Sequence, residues 1–194
     1  MKKTTWSVLI ILIMVFTASH VWAQESVKSS ADKKKLTKSE KKKLKEEAEK
    51  ADWEKYNQLI ESRQFVFQAT DIYTSSGTAP LDQKTNFFYV IGDDAVIQLT
   101  FMGLQSVPTS NGLGGITSEG KVTKFNLKAD NFKKPIRVTI TVKPLAGQGG
   151  GIHQLNLTIF GDGYAELLLS RNNTRLKGIV IPADEAKIHQ GSTR

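Results

Sequence analysis

The side chains that could do chemistry are few and widely spaced. Histidine occurs three times, at His20, His153 and His189, and only His153 falls in the strongly patterned part of the chain. A catalytic or metal-bound imidazole needs a second ligand or an orienting carboxylate within reach, and no neighbouring spacing supplies one. His153 is therefore expected to be an edge or core residue. The carboxylates of interest are Asp71, Asp82, Asp93, Asp94, Asp130, Asp162, Glu119 and Glu166. Asp93-Asp94 and Asp162 sit in predicted turns, where aspartate commonly bonds its own backbone. A glycosidase would need two carboxylates facing one cleft.

The remaining motifs are weak. Gly112 to Gly115 and Gly147 to Gly151 are glycine-rich. A phosphate cradle must open a helix so that backbone amides converge on the anion, whereas both runs lie between predicted strands. No Gly-x-Ser-x-Gly elbow occurs, and such an elbow is what exposes a hydrolase serine. Asn156-Leu157-Thr158 and Asn172-Asn173-Thr174 match a common glycan-acceptor pattern. Cysteine is absent, which excludes disulfides, thiolate metal sites and a cysteine nucleophile. No catalytic, cofactor-binding or metal-binding residue is assigned, and no cofactor is expected.

The elements that would position these residues are clear. Ile136 to Val142 alternates apolar and polar residues without interruption, which puts Ile136, Val138, Ile140 and Val142 on one face of a strand. Similar strands are predicted over 64–69, 86–91, 95–101, 121–127, 153–160, 164–170 and 175–181, with a short one at Ile116. Gly, Asn and Asp turns separate them. Thr37-Lys38-Ser39-Glu40 has the spacing of a capping box, so an amphipathic helix is predicted over 38–62, with Trp53 to Ile60 docking on the sheet. The fold class is mainly antiparallel β, with about seven or eight strands in a sandwich or flattened barrel and one N-terminal helix.

The chain divides by composition. Residues 1–23 pair Lys2 and Lys3 with an apolar run from Trp6 to Phe16 and end on Val21-Trp22-Ala23. That run is shorter than the roughly 20 residues needed to span a bilayer, so a cleaved signal peptide and a periplasmic or secreted address are expected. Residues 24–37 read as a disordered lysine-rich spacer, 63–182 as the β domain, and 183–194 as a polar, frayed tail. Between Gln24 and Lys50, ten lysines face six acids, so +4 of the formal +8 lies in this arm. Such an arm is expected to be a solvated helix face and flexible tether, with an anionic surface of lipid or acidic glycan, or a partner-binding helix, as the alternatives. Nucleic acid is not expected as a partner.

With the strands in place, four blocks resemble a Bacteroidetes family of small exported proteins, domain-of-unknown-function family 4251. They are Gln64–Ala69 (QFVFQA), the Gly92-to-Gly103 hairpin ending LTFMG, the Gly114-Gly115-Ile116 segment running to Gly120, and Leu176–Pro182 (LKGIVIP). Leu99-Thr100-Phe101 departs from the Leu-Pro-Tyr-like end usual in that family. The resemblance implies an exported, single-domain, mostly β protein and carries no activity or site residues.

The expected function is non-enzymatic binding of an envelope partner or small ligand. Two alternatives stay open. Phe65, Phe67, Phe87, Phe88, Tyr89 and Phe101 could line the cavity of an apolar-ligand carrier. Alternatively, two of Asp71, Asp93, Asp94, Asp130, Glu119 and Glu166 could share the cleft of a glycan hydrolase.

Overall fold

A computed structural model describes residues 37–100, 115–146, 151–171 and 173–191. The expected signal segment, most of the spacer, His20, Phe101, the glycines at 112–114 and 147–150, and Asn172 lie outside the described residues. The described chain divides into two units, residues 37–42 and residues 43–191.

In the first unit, helix α1 (Lys38–Glu61) begins. The Thr37 amide donates to Glu40 Oε2 at 2.7 Å, and the Glu40 amide donates to Thr37 Oγ1 at 3.3 Å. This reciprocal pair is a capping box, satisfying two amides that a helix start leaves free. The bond from the Thr37 backbone also holds the Glu40 carboxyl below its ordinary pKa.

The second unit is built of nine antiparallel strands: β1 (Gln64–Thr74), β2 (Gly77–Pro80), β3 (Phe87–Ile91), β4 (Asp94–Leu99), β5 (Ile116–Lys128), β6 (Ile136–Pro144), β7 (His153–Ile159), β8 (Tyr164–Leu169) and β9 (Thr174–Pro182). Each strand from β3 to β9 pairs with the next, and β1 pairs with both β3 and β9. Eight strands thus close into a ring, in which each of the eight has a partner on both sides. Strand β2 is a short appendage on β1.

Two corners let the sheet curl. The β1–β9 register shifts between Ala69 and Asp71, and the β5–β6 register shifts between Val122 and Lys124. A glycine lies at each. A Cβ on Gly178 would overlap the Gln68 carbonyl, and one on Gly120 would overlap the Lys143 carbonyl. Bulge plus glycine is how a closed sheet turns sharply.

Alternation sends one face of every strand inward. Phe65, Phe67, Phe88, Ile97, Ile140, Leu155, Leu157 and Ile159 belong to one continuous apolar cluster, and each is almost wholly buried. The second half of α1 lies over the end of the sheet that carries the β3–β4, β5–β6 and β7–β8 turns. Ile60 enters the cluster with 0 % exposure. Trp53 Nε1 donates to the Lys134 carbonyl at 3.1 Å, and Tyr56 packs on Gly163. At the helix exit Arg63 adopts φ 54, a left-handed conformation that favours glycine. Its guanidinium is held by Asp93 at 2.8 Å and lies over the Phe125 ring at 4.7 Å.

Three sequence expectations change. The strand count rises to nine because Gly77–Pro80 forms a hairpin arm on an extended β1. The short strand at Ile116 and the strand at 121–127 are one continuous β5. Residues 183–191 are not frayed: Ala183, Ala186 and Ile188 pack on Val66, Phe87 and Val96 on the outer face of the sheet.

Candidate functional site

The outer face of β1, β3 and β4 carries an open recess. The chain leaves β9 at Pro182 and runs back across this face. The Ala183 amide donates to the Gln64 carbonyl at 3.1 Å, and the His189 amide donates to the Lys84 carbonyl at 2.7 Å. Gln98 anchors the far end. It is 0 % exposed, and a buried amide side chain must find its partners inside the protein. Its Nε2 donates to the carbonyls of His189 (2.7 Å) and Thr85 (3.0 Å). Its Oε1 accepts from the Gly191 amide (2.7 Å) and the Thr117 hydroxyl (2.9 Å). Both donors and both lone pairs are used.

The opposite wall is the turn between β2 and β3. Asp82 Oδ1 accepts from the Lys84 amide at 2.9 Å, and the Asp82 carbonyl accepts from the Asn86 amide at 3.0 Å. Asn86 then ties this turn to β4: its Oδ1 accepts from the Thr100 amide at 2.8 Å. Between turn and tail lies an open cleft of about 470 Å³, lined by Gln68, Leu81, Asp82, Gln83, Lys84, Glu185 and Lys187. Gln68 is only 6 % exposed. Its Nε2 donates to the Lys187 carbonyl at 3.3 Å, while its Oε1 accepts no hydrogen bond among the described residues. Lys84, Lys187, Asp82 and Glu185 form no ion pair among the described residues. Two cations, two anions and one carbonyl oxygen open to the cleft therefore border one recess. Sequence reasoning missed this cleft because it joins residues more than 100 positions apart through a tail read as frayed.

His153 opens β7 opposite Val142, half-buried on the inward side. Its Nε2 lies 3.3 Å from Ser118 Oγ, a partner 35 positions away that local spacing did not reveal. Burial, and secondarily the Arg171 guanidinium, hold the imidazole below its ordinary pKa. A neutral imidazole beside a hydroxyl has the makings of a nucleophile and base. However, Ser118 is only 5 % exposed, and no carboxylate orients the ring among the described residues. The geometry is that of a buried polar pair.

The carboxylates are spread over the surface. Asp93 pairs with Arg63, Asp94 with Lys121 and Asp130 with Lys134. Asp71 accepts from Thr70 and Glu166 from the Tyr73 hydroxyl, whose ring also carries Lys177 at 4.8 Å. Asp162 Oδ1 accepts from the Tyr164 amide in its turn. Asp71 and Glu166 flank Lys177 across neighbouring strands on the outer face, and Asp94 and Glu119 share another part of it. The latter two lie near Tyr89, whose hydroxyl is pushed up by burial first and by these two charges next. Each is already engaged, Asp94 by Lys121 and Glu119 by Gln190. Among the described residues no group of three or more His, Asp or Glu could hold a metal ion.

The aromatic set divides by strand parity. Phe65, Phe67 and Phe88 point inward, while Phe87 and Tyr89 belong to the outer cluster beneath the tail. Phe101 lies outside the described residues.

The family model of DUF4251, a domain of unknown function, matches residues 45–177. No curated protein matches the chain. A crystal structure of a DUF4251 family protein from Bacteroides eggerthii DSM 20697 is similar at 23 % identity and a TM-score of 0.54. The match covers 72 % of this chain and 93 % of that one, a likeness of fold.

Proposed function

The chain belongs to DUF4251, a family of domains of unknown function, and from that premise we propose that it is a non-enzymatic binding protein of the cell envelope whose ligand seats in the cleft between the β2–β3 turn and the C-terminal tail. The observation that carries this reading is the cleft itself. Its size falls within the roughly 300–1,000 Å³ of small-ligand sites, its walls are tied down by hydrogen bonds, and its charged groups are left unpaired. A rigid scaffold with unused polar groups is pre-organised for binding, because little ordering entropy remains to be lost.

The chemistry of the other groups supports binding over turnover. The Ser118–His153 pair is screened from substrate, and each carboxylate set out for a hydrolase already has a local partner. We read the closed ring as a barrel with a packed interior: Phe65, Phe67 and Phe88 are at most 1 % exposed, so no water-sized space borders them. This favours a solid core over a lipid-like cavity. The lysine-rich arm fits a supporting role, attraction to anionic lipid or glycan at short range. The apolar run before Ala23 fits an exported precursor. Mass measurement of exported protein is expected to place the new N-terminus at Gln24.

A thermal-shift screen of the exported protein tests the function, with wall-derived peptides, glycans, anionic lipids and divalent metals as probes. A ligand at about 100 times its dissociation constant adds roughly 2.7 kcal/mol, a rise of several degrees for a domain of this size. A saturable shift with one class is expected. No shift with any class would overturn the reading.

A further inference from the structure

The cleft's charges have an arrangement that narrows its ligand. Lys84 stands on the turn wall beside Asp82, and Lys187 stands on the tail wall near Glu185. Each wall thus offers one ammonium and one carboxylate, and the floor offers Gln68 Oε1 with a free acceptor position. Elsewhere on this surface, some oppositely charged neighbours have found each other: Asp93 with Arg63, Asp94 with Lys121, Asp130 with Lys134 and Glu46 with Lys133. The four cleft charges have not. A purely anionic ligand would meet two lysines and also two repelling carboxylates. A purely cationic ligand would meet the reverse. A neutral apolar ligand would strand four charges and the Gln68 oxygen without water, which is costly.

We propose that the cleft binds a small zwitterion, a free amino acid or short peptide that carries both an ammonium and a carboxylate. Lys84 and Lys187 hold the carboxylate, Asp82 and Glu185 hold the ammonium, and Gln68 Oε1 accepts one further N–H from the ammonium or a peptide group. Asp82 keeps its bond from the Lys84 amide and offers its second oxygen. Charge-assisted bonds of this kind are the strong ones. The lining side chains other than Gln68 are partly or fully exposed, so the affinity falls as salt is raised. This inference rests on the proposed binding function and names the ligand class of that same site.

Alanyl-alanine is the probe, titrated into the exported protein and followed by backbone amide shifts. The N-acetylated dipeptide lacks the ammonium, and the C-terminal amide lacks the carboxylate. The expected result is saturable movement at Gln68, Asp82 to Lys84 and Glu185 to Lys187, with either blocked form binding about tenfold more weakly. In the double variant Lys84→Gln/Lys187→Gln, the free and amidated dipeptides should bind equally. In Asp82→Asn/Glu185→Gln, the free and acetylated dipeptides should do so. These substitutions are at exposed positions, and the carboxamide that replaces the Asp82 carboxylate keeps an acceptor for the Lys84 amide, so folding is preserved. Equal binding of all three peptides by the unaltered protein would overturn the proposal. If the dipeptide leaves the cleft unmoved while a glycan or lipid moves those residues, the zwitterion inference fails and the binding function stands. If no class moves them, both fall.

Discussion

Gly178 of β9 sets its bare Cα against the backbone carbonyl of Gln68 in β1, so close that a Cβ there would overlap the oxygen. The contact lies where Ala69 pairs with Gly178, at the bulge that turns β1 into the closing seam of the sheet. Gly178→Ala must push the two strands apart at that seam. Overpacking of this kind costs about 1–3 kcal/mol, and the obstacle is backbone that cannot rotate away. Urea unfolding checks it. Gly161→Ala is the control, because nothing lies within 4 Å of its Cβ position, and its midpoint should move little.

Ile60 tests the docking of the helix on the sheet. It is the one residue of α1 that is fully buried, and it sits in the main apolar cluster. Ile60→Ala removes buried methyl groups and leaves a cavity, costing about 2–5 kcal/mol. Leu44→Ala, on the exposed first half of the same helix, should cost under about 0.5 kcal/mol. Denaturant midpoints for the two variants separate packing from helix propensity.

The tail is expected to behave as part of the fold. Gln98→Ala leaves the Gly191 amide, the Thr117 hydroxyl and the carbonyls of Thr85 and His189 each short of a partner. The loss should be about 1–3 kcal/mol. Faster hydrogen exchange at Gly191 and His189 should accompany it. A chain ending at Pro182 uncovers Val66, Phe87 and Val96, and increased binding of a hydrophobic dye should report this.

His153 gives the fold a pH dependence of known sign. Its folded pKa lies below the ordinary 6.5, through burial and then Arg171. The unfolded chain therefore binds a proton more readily than the folded one. Stability is fully present above about pH 6.5 and falls as pH drops from there toward the folded pKa. His153→Gln should flatten that slope. In an NMR titration His153 should titrate below the ordinary 6.5 of a histidine.

How far the sequence could be read depends on whether a structural cause was local. Ile136 to Val142 alternates in the sequence and in burial alike, because a single pleat decides both. Strand β5 reads as two segments because Thr117, Ser118 and Gly120 are loop-like in type, whereas in the sheet they pair with Gln98, Ile97 and Ala95 of β4. Asn86 to Ile91 read as apolar on both faces, and it is: Phe88 and Val90 face the interior while Phe87 and Tyr89 face the tail. What covers an outer apolar face was not legible. Ala183, Ala186 and Ile188 lie among charged residues and show no clear period. The cleft and the Ser118–His153 contact were hidden for the same reason. Each joins segments distant in the chain, and only closure of the sheet and return of the tail bring them together.

The most direct test of the central claim is an amide chemical-shift map of the protein against the four probe classes, wall peptides, glycans, anionic lipids and divalent metals. The account predicts that one class moves Gln68, Lys84, Glu185 and Lys187 together, with a single saturation curve and no change in linewidth at the inward residues Leu155 and Leu157. Contradiction would be a map in which those four stay fixed while a ligand moves the interior, or in which no class moves anything at all.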